Sequence, residues 1–138
     1  MIDASLLVAF VSGGQRGDWV GAKLLAWQEQ GVGLHAPSLA AYEVASALTQ
    51  LVAASRFPTA EVGAAWADIL ELPVSYHEVT DVPGIVSVAR RLKRRSAYDA
   101  AYLALSERLG AALWTLDGPL ARNATDIGYR VHLLEARS

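Results

Sequence analysis

The chain has 138 residues, 53% hydrophobic and 19% charged, with a net charge of −2. That length suits one domain, 1–138, with a real core, and the apolar content excludes long disordered segments. With no cysteine, disulfides, thiolate metal sites and cysteine nucleophiles are excluded together, which fits a cytoplasmic protein.

In chain order, "MIDA" reads as a very short first strand, and "SLLVAFV" opens a helix with Ser5 as its cap. This opening lacks the basic region of a signal peptide, and no run reaches the roughly 18 apolar residues of a membrane span. "SGGQRG" reads as a loop, after which Asp18 caps "WVGAKLLAWQEQ" and Gly31 ends it. "VGLHAP" is a short strand, and Ser38 opens the mostly apolar helix "LAAYEVASALTQLVAAS". "RFP" breaks the chain, and Thr59 caps "AEVGAAWADILEL", with Glu61 and Asp68 on its exposed side. "PVSYHEV" is a third strand, and Asp81 precedes "VPGIVSVARRLKRR", a helix with proline early in its first turn. Ser96 caps "AYDAAYLALSERL", "AALWTLD" is a fourth strand, "GPLARNATDIG" a short helix or turn, and "YRVHLLE" a last strand.

Alternating strands and helices with short apolar strands predict an α/β fold, a mostly parallel sheet covered by helices on both faces. In such sheets ligands bind beyond the carboxyl ends of the strands. Asp3 and Asp117 each end a predicted strand and so fall on that edge. Glu43 and Asp99 stand in the first turns of helices that begin there, in surroundings with almost no other charge.

Each of these four acids has an ordinary reading. Asp99 lies three residues after Ser96, as in a capping box; Glu43 can face water beside Ser46 and Gln50; Asp3 and Asp117 can be turn formers. As a set they read differently. Carboxylates sharing one cleft repel unless a cation neutralises them, and an all-oxygen donor set suits Mg²⁺ or Mn²⁺. Such ions act on phosphoryl groups. Positive charge is concentrated late in the chain: residues 1–80 hold 3 Lys and Arg against 8 acids, residues 81–138 hold 9 against 6. Arg94 and Arg95, in "RRLKRRS" just before Asp99, are the candidate contacts for a polyanion such as RNA. His35, His77 and His132 match no metal spacing, and the four tryptophans read as packing residues.

The pieces "IDAS", "APSLAAYEVASAL", "SAYDAAYLALSERLGAALWTLD" and "GYRVHLLE" together resemble the PIN-domain ribonucleases, most closely VapC-type toxins of bacterial toxin–antitoxin pairs. The resemblance implies a three-layer α/β/α sandwich with a mostly parallel central sheet of four to five strands. It makes Asp3, Glu43, Asp99 and Asp117 the catalytic, metal-binding acids, with Ser5 and Thr115 as supporting hydroxyls. It implies Mg²⁺- or Mn²⁺-dependent endoribonuclease activity, in-line attack of water on RNA leaving a 5′-phosphate and a 3′-hydroxyl, a homodimer, and silencing by a VapB-type antitoxin. Many relatives carry asparagine three residues after the glutamate, where this chain has Ser46. A receiver domain would show adjacent acids at the first strand, and a haloacid-dehalogenase-type phosphatase would show Asp-x-Asp where this chain has Asp-x-Ser. The remaining alternative is a PIN-fold module that binds RNA or protein without cutting.

Overall fold

A computed structural model describes residues 1–94 and 97–135. Arg95 and Ser96, and with Ser96 its expected capping role, lie outside the described residues. Seven helices and four short strands are present among those described.

Residues 1–3 are extended and are followed by α1 (Ala4–Ser12). The cap of α1 is Asp3, whose carboxylate accepts from Ser5 N, so Ser5 lies inside the helix it was expected to cap. α2 (Gly14–Glu29) starts four residues before Asp18 and takes in most of the expected loop. Gly13 and Gly14, at φ +79° and +74°, reverse the chain between the two helices, backbone that L-residues rarely adopt. Then come β1 (Leu34–Pro37) and α3 (Ala40–Ala53). Thr59 caps nothing: Thr59–Glu61 is a 3₁₀ turn leading into α4 (Val62–Glu71). β2 (Val74–His77) precedes α5 (Val82–Arg91), which Asp81 caps. α6 (Tyr98–Leu109), β3 (Leu113–Thr115), α7 (Gly118–Asp126) and β4 (Val131–Leu133) complete the order. α5 ends with Lys93 in the left-handed region at φ +56°. There Lys93 N bonds Arg90 O and Arg94 N bonds Ala89 O, the paired contacts that close a helix end.

β1 pairs in parallel with β2, and β3 with β4. The extended N-terminus joins the two pairs: Ile2 N donates to His35 O, Trp114 N to Met1 O and Asp3 N to Trp114 O. Ile2 and Trp114 form a parallel bridge. The lateral order is therefore β2, β1, residues 1–3, β3, β4, with the order reversing beside residues 1–3. α1 packs against α2, α3 and α4; α5 packs against α6, α6 reaches β1 and β3, and α7 reaches β3 and β4. This is the expected α/β/α arrangement, with strands shorter than the apolar runs that announce them.

Ile2, Leu6, Leu7, Ile69, Leu103 and Leu113 are almost wholly buried in the centre. The histidines are structural: His35 Nδ1 and His77 Nε2 lie 2.9 Å apart, and His132 stacks on Trp114. Among the described residues no helix is long and apolar enough to cross a membrane.

Candidate active site

The first strand segment and β3 end side by side at the point where the strand order reverses, the place where open α/β sheets bind ligands. Asp3 ends one and Asp117 follows the other. Asp3 is only 7% exposed, and its oxygens are held from both sides. Oδ1 accepts from Ser5 N at 3.0 Å and from Ser5 Oγ, while Oδ2 accepts from Thr115 Oγ1. Each hydroxyl spends its one proton on Asp3 and takes a backbone donor in return: Leu116 N on Ser5 Oγ at 3.1 Å, Asp117 N on Thr115 Oγ1 at 3.0 Å. Two hydroxyls thus fix the carboxylate and stitch the two strand ends together.

Thr115→Val keeps the shape and removes this link, leaving Asp3 Oδ2 and Asp117 N each short of a partner. The expected cost is about 1–3 kcal/mol, read as a lowered thermal midpoint. An unchanged midpoint would show that the hydroxyl carries no structural weight.

Asp117 caps α7, its Oδ1 accepting from Leu120 N at 3.1 Å. Glu43 and Asp99 stand half-buried in the first turns of α3 and α6. Burial pushes the Asp3 carboxyl up from its ordinary range, against the hydrogen bonds from Ser5 and Thr115. Glu43 is pushed up by burial and by the charges of Asp99 and Asp3, with Tyr102 acting in the opposite direction. Asp99 is pushed up by burial, down by Arg94 and up by Asp117. The four acids are therefore linked through charge, Asp3 to Glu43, Glu43 to Asp99 and Asp99 to Asp117, although they come from four separate parts of the chain.

Glu43 Oε1 and the Tyr102 hydroxyl are shut off from solvent, and neither has a hydrogen-bond partner of good geometry among the described residues. No group of three or more His, Cys, Asp or Glu among the described residues is arranged to hold a metal as it stands. The donor set itself, all carboxylate oxygen with Glu43 Oε1 buried and offered only the poorly aligned Tyr102 hydroxyl, fits a hard divalent cation.

Glu43 and Asp117 open onto a groove of about 460 Å³ that runs between α1 and α3. Arg16, from the first turn of α2, lines the same groove. Arg94 is exposed and close enough to Asp99 for its charge to be felt there. Another groove of about 250 Å³, along α5 and α6, is lined by Glu78, Asp81 and Glu107 but by none of the four acids.

Two residues of this region escape the sequence reading. Tyr102 follows Asp99 by three positions, which places both on one helix face, a signal that was present in the sequence. Arg16 is hidden because the helix start is displaced by four residues.

The PIN domain family model matches residues 1–125, and the chain belongs to that family. It is thus a PIN domain, a fold generally used by nucleases that employ divalent metals on nucleic acid. The crystal structure of PAE2754 from Pyrobaculum aerophilum is similar, with a TM-score of 0.68 and 24% identity, covering 88% of this chain and 76% of that one. At that identity the likeness carries the fold. No curated protein matches.

Proposed function

We propose that this chain is a Mg²⁺- or Mn²⁺-dependent endoribonuclease of the VapC toxin type, acting in the cytoplasm as a single domain. The observation that carries the reading is the charge linkage of Asp3, Glu43, Asp99 and Asp117 at the strand-order reversal, with Glu43 Oε1 buried and in no well-formed hydrogen bond.

These four acids would hold the cation, which when bound neutralises them and polarises a phosphodiester. Ser5 and Thr115 keep Asp3 turned toward the site, and Arg94 supplies positive charge for the RNA backbone beside Asp99. Arg95 is assigned the same role from sequence. A VapB-type antitoxin would silence the enzyme, and two copies would form the working dimer. The absence of a ready three-ligand cluster among the described residues favours one other reading, a PIN-fold module that binds without cutting.

Labelled single-stranded RNA incubated with EDTA-treated protein separates the two. The expected result is no cleavage until Mg²⁺ or Mn²⁺ is restored, then products bearing 5′-phosphates. Cleavage that persists in EDTA would end the metal mechanism. RNA left whole under both cations would favour the binding module.

A further inference from the structure

We infer that Arg16 binds a substrate phosphate next to the scissile one, so that the groove between α1 and α3 is the track for one nucleotide of the RNA strand. This inference rests on the nuclease reading for the location of the scissile phosphate.

The groove joins Glu43 and Asp117 to Arg16 in a single hollow of about 460 Å³, within the range of small-ligand pockets. Its walls are Val8, Ala47, Leu51 and Leu116, with Ser5 and Ser12 also lining it. Along α3 the lining runs from Glu43 through Ala47 to Leu51, and along α1 from Ser5 through Val8 to Ser12, beyond which comes Arg16. A nucleotide has the matching sequence of parts: a phosphate at the cation-loaded acids, an apolar base or sugar edge, then a second phosphate.

The placement of Arg16 is built in by the backbone. A Cβ at Gly17 would meet Ala9 O at 2.7 Å, so only glycine lets α2 lie this close to α1. That crossing sets the first turn of α2 over the groove. In that turn a cation works against the helix dipole, and the Arg16 side chain is exposed and makes no hydrogen bond or ion pair with any described residue. Neither local helix energetics nor a partner in the fold accounts for an arginine here. A phosphate does: it is the anion whose geometry the guanidinium fork matches. A basic peptide entering toward the acids would meet Arg16 as a like charge, which is why the groove favours RNA over such a segment.

The test compares wild type, Arg16→Ala and Arg16→Lys in steady-state cleavage of one single-stranded RNA across a salt series. For Arg16→Ala the expected KM rises about tenfold, the size of one lost charge-assisted hydrogen bond, while kcat changes less than twofold. The slope of log(kcat/KM) against log[salt] becomes shallower by about 0.7, one single-strand phosphate contact. Arg16→Lys keeps that slope. The thermal midpoint of Arg16→Ala does not fall, because the side chain has no partner to lose and its charge opposes the helix dipole. An unchanged KM and slope would overturn the inference and leave the groove to a protein segment. A fall in kcat at constant KM would overturn it too, since Arg16 would then act at the chemistry. Should wild type cut no RNA, fluorescence anisotropy on the same labelled strand still decides: binding about tenfold weaker in Arg16→Ala upholds the groove without the nuclease reading, and equal binding ends it.

Discussion

Asp99→Asn is expected to lower cation-dependent RNA cleavage by at least about a hundredfold while shifting folding stability by less than about 1 kcal/mol. The rate loss exceeds the range for residues that merely support a metal ligand, about 10–100-fold, because the substitution removes one of the charges that would hold the ion. Two small effects on stability oppose each other. A carboxylate in the first turn of α6 favours the helix dipole, worth about 0.3–1 kcal/mol, and asparagine gives that up. Against this, burial and Asp117 disfavour ionised Asp99 more than Arg94 favours it, a net penalty the neutral amide escapes. The cap of α6 is Ala97, with no side-chain hydrogen bond. Cleavage rates and thermal midpoints on the same preparations check both halves. If the variant unfolds while its folded fraction still cuts at the normal rate, Asp99 is a structural residue and the assignment of the site fails.

Asp3 and Asp117 show which parts of this arrangement local sequence carries. Each follows a short apolar run, and Asp117 stands before Gly-Pro, so their positions at strand ends follow from punctuation alone. Strand–helix alternation then puts the starts of α3 and α6 on the same edge, and Glu43 and Asp99 with them. Ser5 shows the opposite case. As a cap it competes with Asp3 two residues earlier, and local preference does not separate them. The choice is made by Leu116 N, which donates to Ser5 Oγ across 111 positions of sequence and leaves the capping role to Asp3. Lys93 is a further example: it occupies a left-handed position that glycine usually marks, so the end of α5 has no sequence flag and the helix reads too long. The strands read too long for another reason, since apolar residues beside a strand are buried whether or not they pair. Arg16 depends on Gly17 meeting α1, a packing contact that no pattern within α2 reveals.

The cation-free protein is expected to lose stability as pH rises above about 4, and Mn²⁺ is expected to restore it. Asp3, Glu43 and Asp99 all have raised carboxyl pKa values in the fold. Between the unfolded values near 4 and the raised folded ones, the native state holds protons that the unfolded chain has released. Unfolding free energy therefore falls with rising pH: these groups favour the fold fully below about pH 4, and that favour is lost through their folded values. His35 has the opposite sign, its pKa lowered by burial and by the charge of His77, so it adds stability as pH rises toward its unfolded value near 6.5. Glu43→Gln isolates the acids, removing one raised carboxyl without touching His35, and should flatten the downward slope. Mn²⁺ at a hundred times its dissociation constant adds about 2.7 kcal/mol, a midpoint shift of about 5–10 °C for a chain of this size. That shift should be larger at pH 7 than at pH 5, since the ion binds ionised carboxylates and competes with their protons. Differential scanning fluorimetry across pH, with and without Mn²⁺, reads all three effects. A midpoint at pH 7 indifferent to Mn²⁺ would mean that the four carboxylates do not share an ion. A Glu43→Gln variant with the same cation-free pH slope as wild type would mean that they are not crowded enough to need one.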